Sequence, residues 1–215
     1  METQLFEQLQ FVENPTYERV ISDILDQGFS IVDDFFDASE IEELRESLIT
    51  VYEADCFKKA AIGNKLNEEI DKSIRGDFIL WINEAEGRAV ERRFFAKIND
   101  LVAYLNRTCF LGILQKEFHY AVYPTGTFYK RHLDTFQNDD RRKLSMVCYL
   151  NNDSWLASNG GELTLYLPFE GGEKALDIIP RPGRMVIFES QVLEHEVKPV
   201  KASERLSITG WLKTR

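Results

Sequence analysis

Cysteine is scarce in this chain: the three present, Cys56, Cys109 and Cys148, are far apart and form no CxxC pair. An odd count at that spacing excludes a disulfide framework and a zinc ribbon, so all three read as reduced, structural thiols. Long apolar runs are missing too. No stretch approaches the roughly 18 consecutive apolar residues of a membrane span, and no membrane partner is expected. Positive charge is in deficit, with 26 Lys and Arg against 36 Asp and Glu and a formal net charge of −10. That balance opposes generic attraction to nucleic-acid phosphates or anionic lipid, so no nucleic-acid partner is expected. The acidity serves solubility or suits a basic protein partner. The start, Met1-Glu-Thr-Gln-Leu5, lacks a basic stretch leading into an apolar one, so no secretory signal is expected and the location reads as cytoplasmic. Internal repeats, low-complexity tracts and linkers are also lacking, which for 215 residues favours one elaborated domain.

What is present changes texture along the chain. Asn14-Pro15 supplies an N-cap and a first-turn proline, and Tyr17, Ile21, Ile24 and Leu25 recur at helical spacing until Gly28. Residues 29–36 look extended, and Asp37 with Glu40 reads as a capping box opening a second helix, whose stripe is Ile41, Leu44, Leu48 and Val51. Residues 64–76 are charged and aperiodic, hence a loop; Phe78 to Trp81 is a strand; residues 88–109 carry Phe94, Ile98, Leu101 and Leu105 on one helical face. From residue 113 onward, short runs of Phe, Tyr, Val, Ile and Thr are broken by glycine-containing turns. The expected fold class is therefore α+β. Residues 1–112 are the helical support, with early strands and a loop at about 60–80, and 113–215 the β core, within one domain. About eight strands in roughly 100 residues suit a small barrel or jelly roll.

Histidine is also rare, and two of the three have company. If residues 128–135 form a strand, His132 and Asp134 occupy alternate positions and share a face. A later strand bringing His195 opposite them completes two neutral imidazoles and one carboxylate, the facial triad of non-haem iron(II) oxygenases. Zinc hydrolysis is the competing chemistry for such a set. His119 has no such neighbour and reads as a packed or surface imidazole. Arg205 follows on an apolar strand from Leu206 to Leu212. Its planar fork binds a carboxylate through two hydrogen bonds and stays charged at any working pH. A rim salt bridge, for instance with Glu204, is the alternative. Iron(II) with one carboxylate keeps one positive charge and Arg205 adds another, so a dianionic 2-oxo acid is neutralised on binding. That sign argument favours 2-oxoglutarate.

Five segments together resemble the iron(II)- and 2-oxoglutarate-dependent prolyl 4-hydroxylases, the oxygen-sensing group and its bacterial relatives. They are Ile74-Arg-Gly-Asp77 leading to Trp81, Tyr123 through Tyr129 and His132 to Asp134, Val147-Cys-Tyr-Leu-Asn151, Gly160-Gly-Glu-Leu163, and His195 through Arg205 to Trp211. The resemblance implies a double-stranded β-helix (jelly-roll) core with supporting N-terminal helices, holding Fe(II) and taking 2-oxoglutarate and O2, with L-ascorbate as an auxiliary reductant. It implies that Tyr149 and Thr209 stand with Arg205 at the far carboxylate of 2-oxoglutarate, Tyr123 near its metal end, and Leu163 against its methylenes. It further implies that Trp211 lines the pocket floor, that Asp77 pairs with Arg142 at the substrate groove, and that Tyr129 joins them there. Residues 64–76 are expected to act as a lid over the peptide. The implied reaction hydroxylates C4 of a prolyl residue in a protein, with a cytosolic translation elongation GTPase as first candidate. A 2-oxoglutarate oxygenase acting on another side chain or a small metabolite, and a non-catalytic ligand-sensing barrel, are the rivals.

Overall fold

The computed structural model describes residues 12–60, 74–135 and 141–214. Helix α1 (Pro15–Gln27) begins where Asn14 accepts the N–H groups of Thr16 and Tyr17, and ends at Gly28 with φ 81, a left-handed turn that glycine adopts without Cβ strain. Its buried stripe differs from the expected one. Val20 is fully buried, with Tyr17, Ile21 and Ile24 packed beside it, whereas Leu25 is 80% exposed. At about 100° per residue the stripe through Tyr17, Val20 and Ile24 leaves the next position to one side. Helix α2 (Ala38–Glu53) has the Asp37/Glu40 capping box and buries Ile41, Leu44 and Leu48, while Val51 is half-buried. Helix α3 (Ala89–Cys109) buries Phe94, Ile98, Leu101 and Leu105.

The strands are β1 (Phe29–Val32), β2 (Lys58–Lys59), β3 (Phe78–Ile82), β4 (Gln115–Tyr123), β5 (Tyr129–His132), β6 (Arg142–Tyr149), β7 (Leu163–Phe169), β8 (Gly172–Ile178), β9 (Met185–Glu189), β10 (Glu194–Val197) and β11 (Arg205–Lys213). They form a seven-stranded sheet ordered β1-β9-β6-β11-β4-β3-β2 and a four-stranded sheet ordered β5-β10-β7-β8. Every pairing described is antiparallel. The two facing sheets make the expected double-stranded β-helix. Early strands are stitched into it, since β1 pairs with β9 and β3 with β4.

Side chains alternate across a strand, and that alternation sorts the large sheet into two faces. Phe118, Tyr120 and Val122 of β4, Leu144, Met146 and Cys148 of β6, and Leu206, Ile208 and Leu212 of β11 join the helical stripes in one core. Each such side chain removed from water contributes about 1.5–3 kcal/mol. Gly210 lies on this face, where a Cβ would come within 2.2 Å of Phe118 and of the Glu117 carbonyl. The opposite face turns toward the small sheet: Val147 and Tyr149 cluster with Leu163 and Leu165, and Ala121 and Tyr123 with Val197. The helices thus supply the hydrophobic core behind the large sheet and leave its inner face free to carry polar groups.

Candidate metal and co-substrate site

The last residue of β5, His132, stands directly opposite His195 of β10. Asp134 arrives differently from the expected strand over 128–135. β5 ends at His132, so alternation does not place the carboxylate; the turn after the strand does. Two bonds fix it there: the Ser145 hydroxyl donates to Asp134 Oδ2 at 2.7 Å, and Arg142 Nη1 to the Asp134 carbonyl at 3.3 Å. One donor atom from each of the three residues lies within 4.8 Å of the others.

Both imidazoles are oriented from behind. His132 Nδ1 lies 2.7 Å from the Lys130 carbonyl and His195 Nδ1 lies 3.3 Å from that of Leu193. A carbonyl only accepts, so each Nδ1 carries the proton and each Nε2 presents a lone pair. Those Nε2 atoms sit 3.5 Å from Asp134 Oδ1 and 3.4 Å from Oδ2, too far for charge-assisted hydrogen bonds. Donors bound at about 2.1 Å to one metal lie roughly 3.0–3.4 Å apart, so the set fits a divalent ion. Burial lowers the His195 pKa to about 4, which keeps it neutral. Burial alone would raise the Asp134 carboxyl, but attraction to the facing His195 and His132 when these carry a second proton, together with the Ser145 hydroxyl, outweighs it and holds it well below the usual range. Tyr129 stacks on His132 with ring centroids 3.7 Å apart.

On the inner face of the large sheet, across from the small sheet that carries His132 and His195, Arg205 is 2% exposed. Its Nε donates to the Gly161 carbonyl at 2.9 Å and its Nη1 to Ser207 Oγ at 3.2 Å, and Ser207 Oγ lies 3.4 Å from Thr209 Oγ1. The rings of Tyr149 and Tyr123 flank the guanidinium at 4.9 and 5.0 Å. Among the described residues no carboxylate pairs with Arg205, and the rim bridge to Glu204 is not formed. The buried Tyr149 hydroxyl faces this guanidinium and, among the described residues, has no other hydrogen-bond partner. A buried cation with no counter-ion is costly unless a ligand completes it. A carboxylate does so.

Other expected residues are placed as follows. Leu163 is buried on β7, clustered with Tyr149. Tyr123 is in register with Arg205 and shares a cluster with Tyr129, so it stands between the anchor and the metal end. Trp211 lies opposite Ser145, beside the metal end of the large sheet's inner face. The expected Asp77–Arg142 pair is replaced: Arg75 grips both oxygens of Asp77 at 2.8 and 2.6 Å and lies over the Tyr129 ring at 4.3 Å. A bridge between Arg75 and Tyr129 brings this segment onto β5, and Gly76 permits it, because a Cβ there would sit 2.9 Å from Thr127. Arg142 instead stacks on Trp211 at 3.6 Å and reaches Glu117 at 3.7 Å. His119 is a packed imidazole between Trp81 and Trp211. The expected lid, up to residue 73, lies outside the described residues. Sequence reasoning missed Arg75, Ser145, Gly161 and Ser207; the two serines carry a legible signal, since each is a polar residue at an inward position of a largely apolar strand.

Comparison with known proteins agrees with this geometry. Residues 118–213 match the model of the 2OG-Fe(II) oxygenase superfamily. A prolyl-4-hydroxylase from Pseudomonas putida is 34% identical with a TM-score of 0.81, covering 93% of this chain and 99% of that one. A prolyl hydroxylase from Trichoplax adhaerens, solved with a hypoxia-inducible factor peptide fragment, is 30% identical with a TM-score of 0.81, covering 93% and 89%. The hypoxia-inducible factor prolyl hydroxylase of Caenorhabditis elegans is 30% identical over 203 residues, 90% of this chain, which spans 28% of that relative's length. The chain therefore belongs to the prolyl hydroxylase family of 2OG-Fe(II) oxygenases, whose cofactor and co-substrates are iron(II), 2-oxoglutarate and dioxygen.

Proposed function

We propose that this protein hydroxylates C4 of a prolyl residue in a protein substrate, with a cytosolic translation elongation GTPase as the first candidate and ascorbate as an auxiliary reductant. The observation that carries the reading is Arg205, buried beside the Tyr149 hydroxyl with no counter-ion among the described residues, on the sheet that faces His132 and His195. In this reading the three ligands hold iron and leave its remaining positions open. The free N–H groups of Arg205, the Tyr149 hydroxyl and the Thr209 hydroxyl bind the far carboxylate of 2-oxoglutarate, with Leu163 against its methylenes and Tyr123 beside the anchor. Bound iron supplies the oxidation, in which 2-oxoglutarate becomes succinate and carbon dioxide, one oxygen atom enters succinate and the other the target C–H bond. The protein's part is orientation and dryness. Tyr129, the Arg75–Asp77 pair, Arg142 and Trp211 border the metal end, and a substrate proline enters between them.

Two resemblances support a peptidyl proline: the Pseudomonas putida and Trichoplax adhaerens proteins are prolyl hydroxylases by description, and the latter was solved with a peptide. The test is incubation with cell extract, iron(II), 2-oxoglutarate and heavy dioxygen, followed by mass mapping of peptides. One heavy oxygen on a proline of an elongation factor is expected. Heavy oxygen on other side chains or on small metabolites only would overturn the assignment.

A further inference from the structure

We infer that Ser145 and Ser190 form a two-hydroxyl relay that positions the Asp134 carboxylate for metal; the inference rests on the metal-site reading above. Ser145 Oγ lies 2.7 Å from Asp134 Oδ2 and 2.8 Å from Ser190 Oγ. A hydroxyl has one proton to give, and an ionised carboxylate has none. The Ser145 proton therefore goes to Asp134, and at the second contact Ser190 is the donor. The direction of the chain is fixed: Ser190 to Ser145 to Asp134 Oδ2.

The two serines are 1% and 0% exposed, so bulk water does not replace either hydroxyl. Each is held by backbone. Ser145 sits in register between Trp211 of β11 and Phe188 of β9, and Ser190, just beyond β9, donates its N–H to the Lys143 carbonyl at 3.1 Å. The relay therefore ties the turn carrying Asp134, which no strand register fixes, to two strands of the large sheet. Oδ1 lies 3.5 Å from His132 Nε2 and Oδ2 3.4 Å from His195 Nε2, so the hydroxyl chain holds the carboxylate facing both imidazoles. Ser145 and Ser190 are thus positioning residues acting through Asp134.

The test uses the full chain with Mn(II) as a redox-inert probe and Co(II), whose visible bands report coordination number. Ser145→Ala is expected to weaken Mn(II) binding about 10–100-fold, the usual cost of removing a group that orients a metal ligand. Ser190→Ala should give a smaller loss of the same sign. Ser145→Thr, which keeps the hydroxyl, should return affinity to within about threefold, with a metal-free melting temperature equal to the parent's. The Co(II) bands should change in Ser145→Ala and not in Ser145→Thr. Unchanged Mn(II) affinity in Ser145→Ala overturns the relay, as does a loss that Thr does not rescue and that accompanies a lowered metal-free melting temperature. If the parent binds Mn(II) no better than His195→Ala does, the metal-site reading itself fails, which is a distinguishable result.

Discussion

Arg205 is where the residue-scale argument is sharpest, because a guanidinium at 2% exposure without a carboxylate beside it is a group prepared for a ligand. Arg205→Ala should weaken 2-oxoglutarate binding by about 2–5 kcal/mol, the cost of truncating one member of a buried charged pair, while Mn(II) affinity stays within about threefold; calorimetry with each ligand checks both. Arg205→Lys should not restore binding, because an ammonium lacks the fork. The Arg75–Asp77 pair carries a stability prediction. Arg75→Ala leaves Asp77, 1% exposed, as a buried unpaired charge and should cost about 3–5 kcal/mol in urea denaturation. Replacing both by apolar residues should cost less than that single change. His119 carries a pH prediction. Burial lowers its pKa from 6.5 to about 3, so the unfolded chain binds a proton that the folded chain refuses. Its contribution is complete above about pH 6.5 and lost as pH falls toward 3. The His119→Leu variant should lose less stability than the parent between pH 6.5 and 4, read from urea midpoints. At this scale the ligands and the anchor were legible, since histidine is rare and an arginine on an apolar strand is conspicuous. The partner of Asp77 was not, because the choice between Arg75 and Arg142 is made by how the segment before β3 crosses β5.

Element ends were the most readable feature of the chain. Asn14, Gly28 and the Asp37/Glu40 box all cap helices where their chemistry requires, because capping is decided within four or five residues. Strand ends depend on a distant partner, and β5 stops at His132, short of the expected reach. The turn after it, not strand alternation, delivers Asp134. Another short element sets the anchor. Gly160, at φ 72, has no room for a Cβ, which would fall 2.3 Å from the Pro199 carbonyl, and Gly161, at φ 70, presents the carbonyl that receives Arg205. Gly160→Ala should displace that carbonyl and raise the 2-oxoglutarate Kd at least tenfold, about 1.4 kcal/mol, with Mn(II) binding unchanged. An equal loss of both ligands would show a general loosening instead.

Across the whole molecule, the large sheet separates two jobs: one face joins the helices in the core and the other carries the anchor and faces the metal ligands of the small sheet. The strand count and the α+β class follow from local pattern, but the order β1-β9-β6-β11-β4-β3-β2 does not. It depends on pairings between segments far apart in the chain, which composition and periodicity do not encode. That order brings β4, β6 and β11 side by side and so sets Arg205, Tyr149, Thr209 and Ser145 on one surface facing His132 and His195. The central claim is that this surface binds iron(II) and 2-oxoglutarate together. Its most direct test is an anaerobic titration of the protein with iron(II) and then 2-oxoglutarate, followed by visible absorption. The parent should develop a weak charge-transfer band, His132→Ala should show none, and Arg205→Ala should show it only at much higher 2-oxoglutarate. No band in the parent, or an equal band in His132→Ala, would contradict the account.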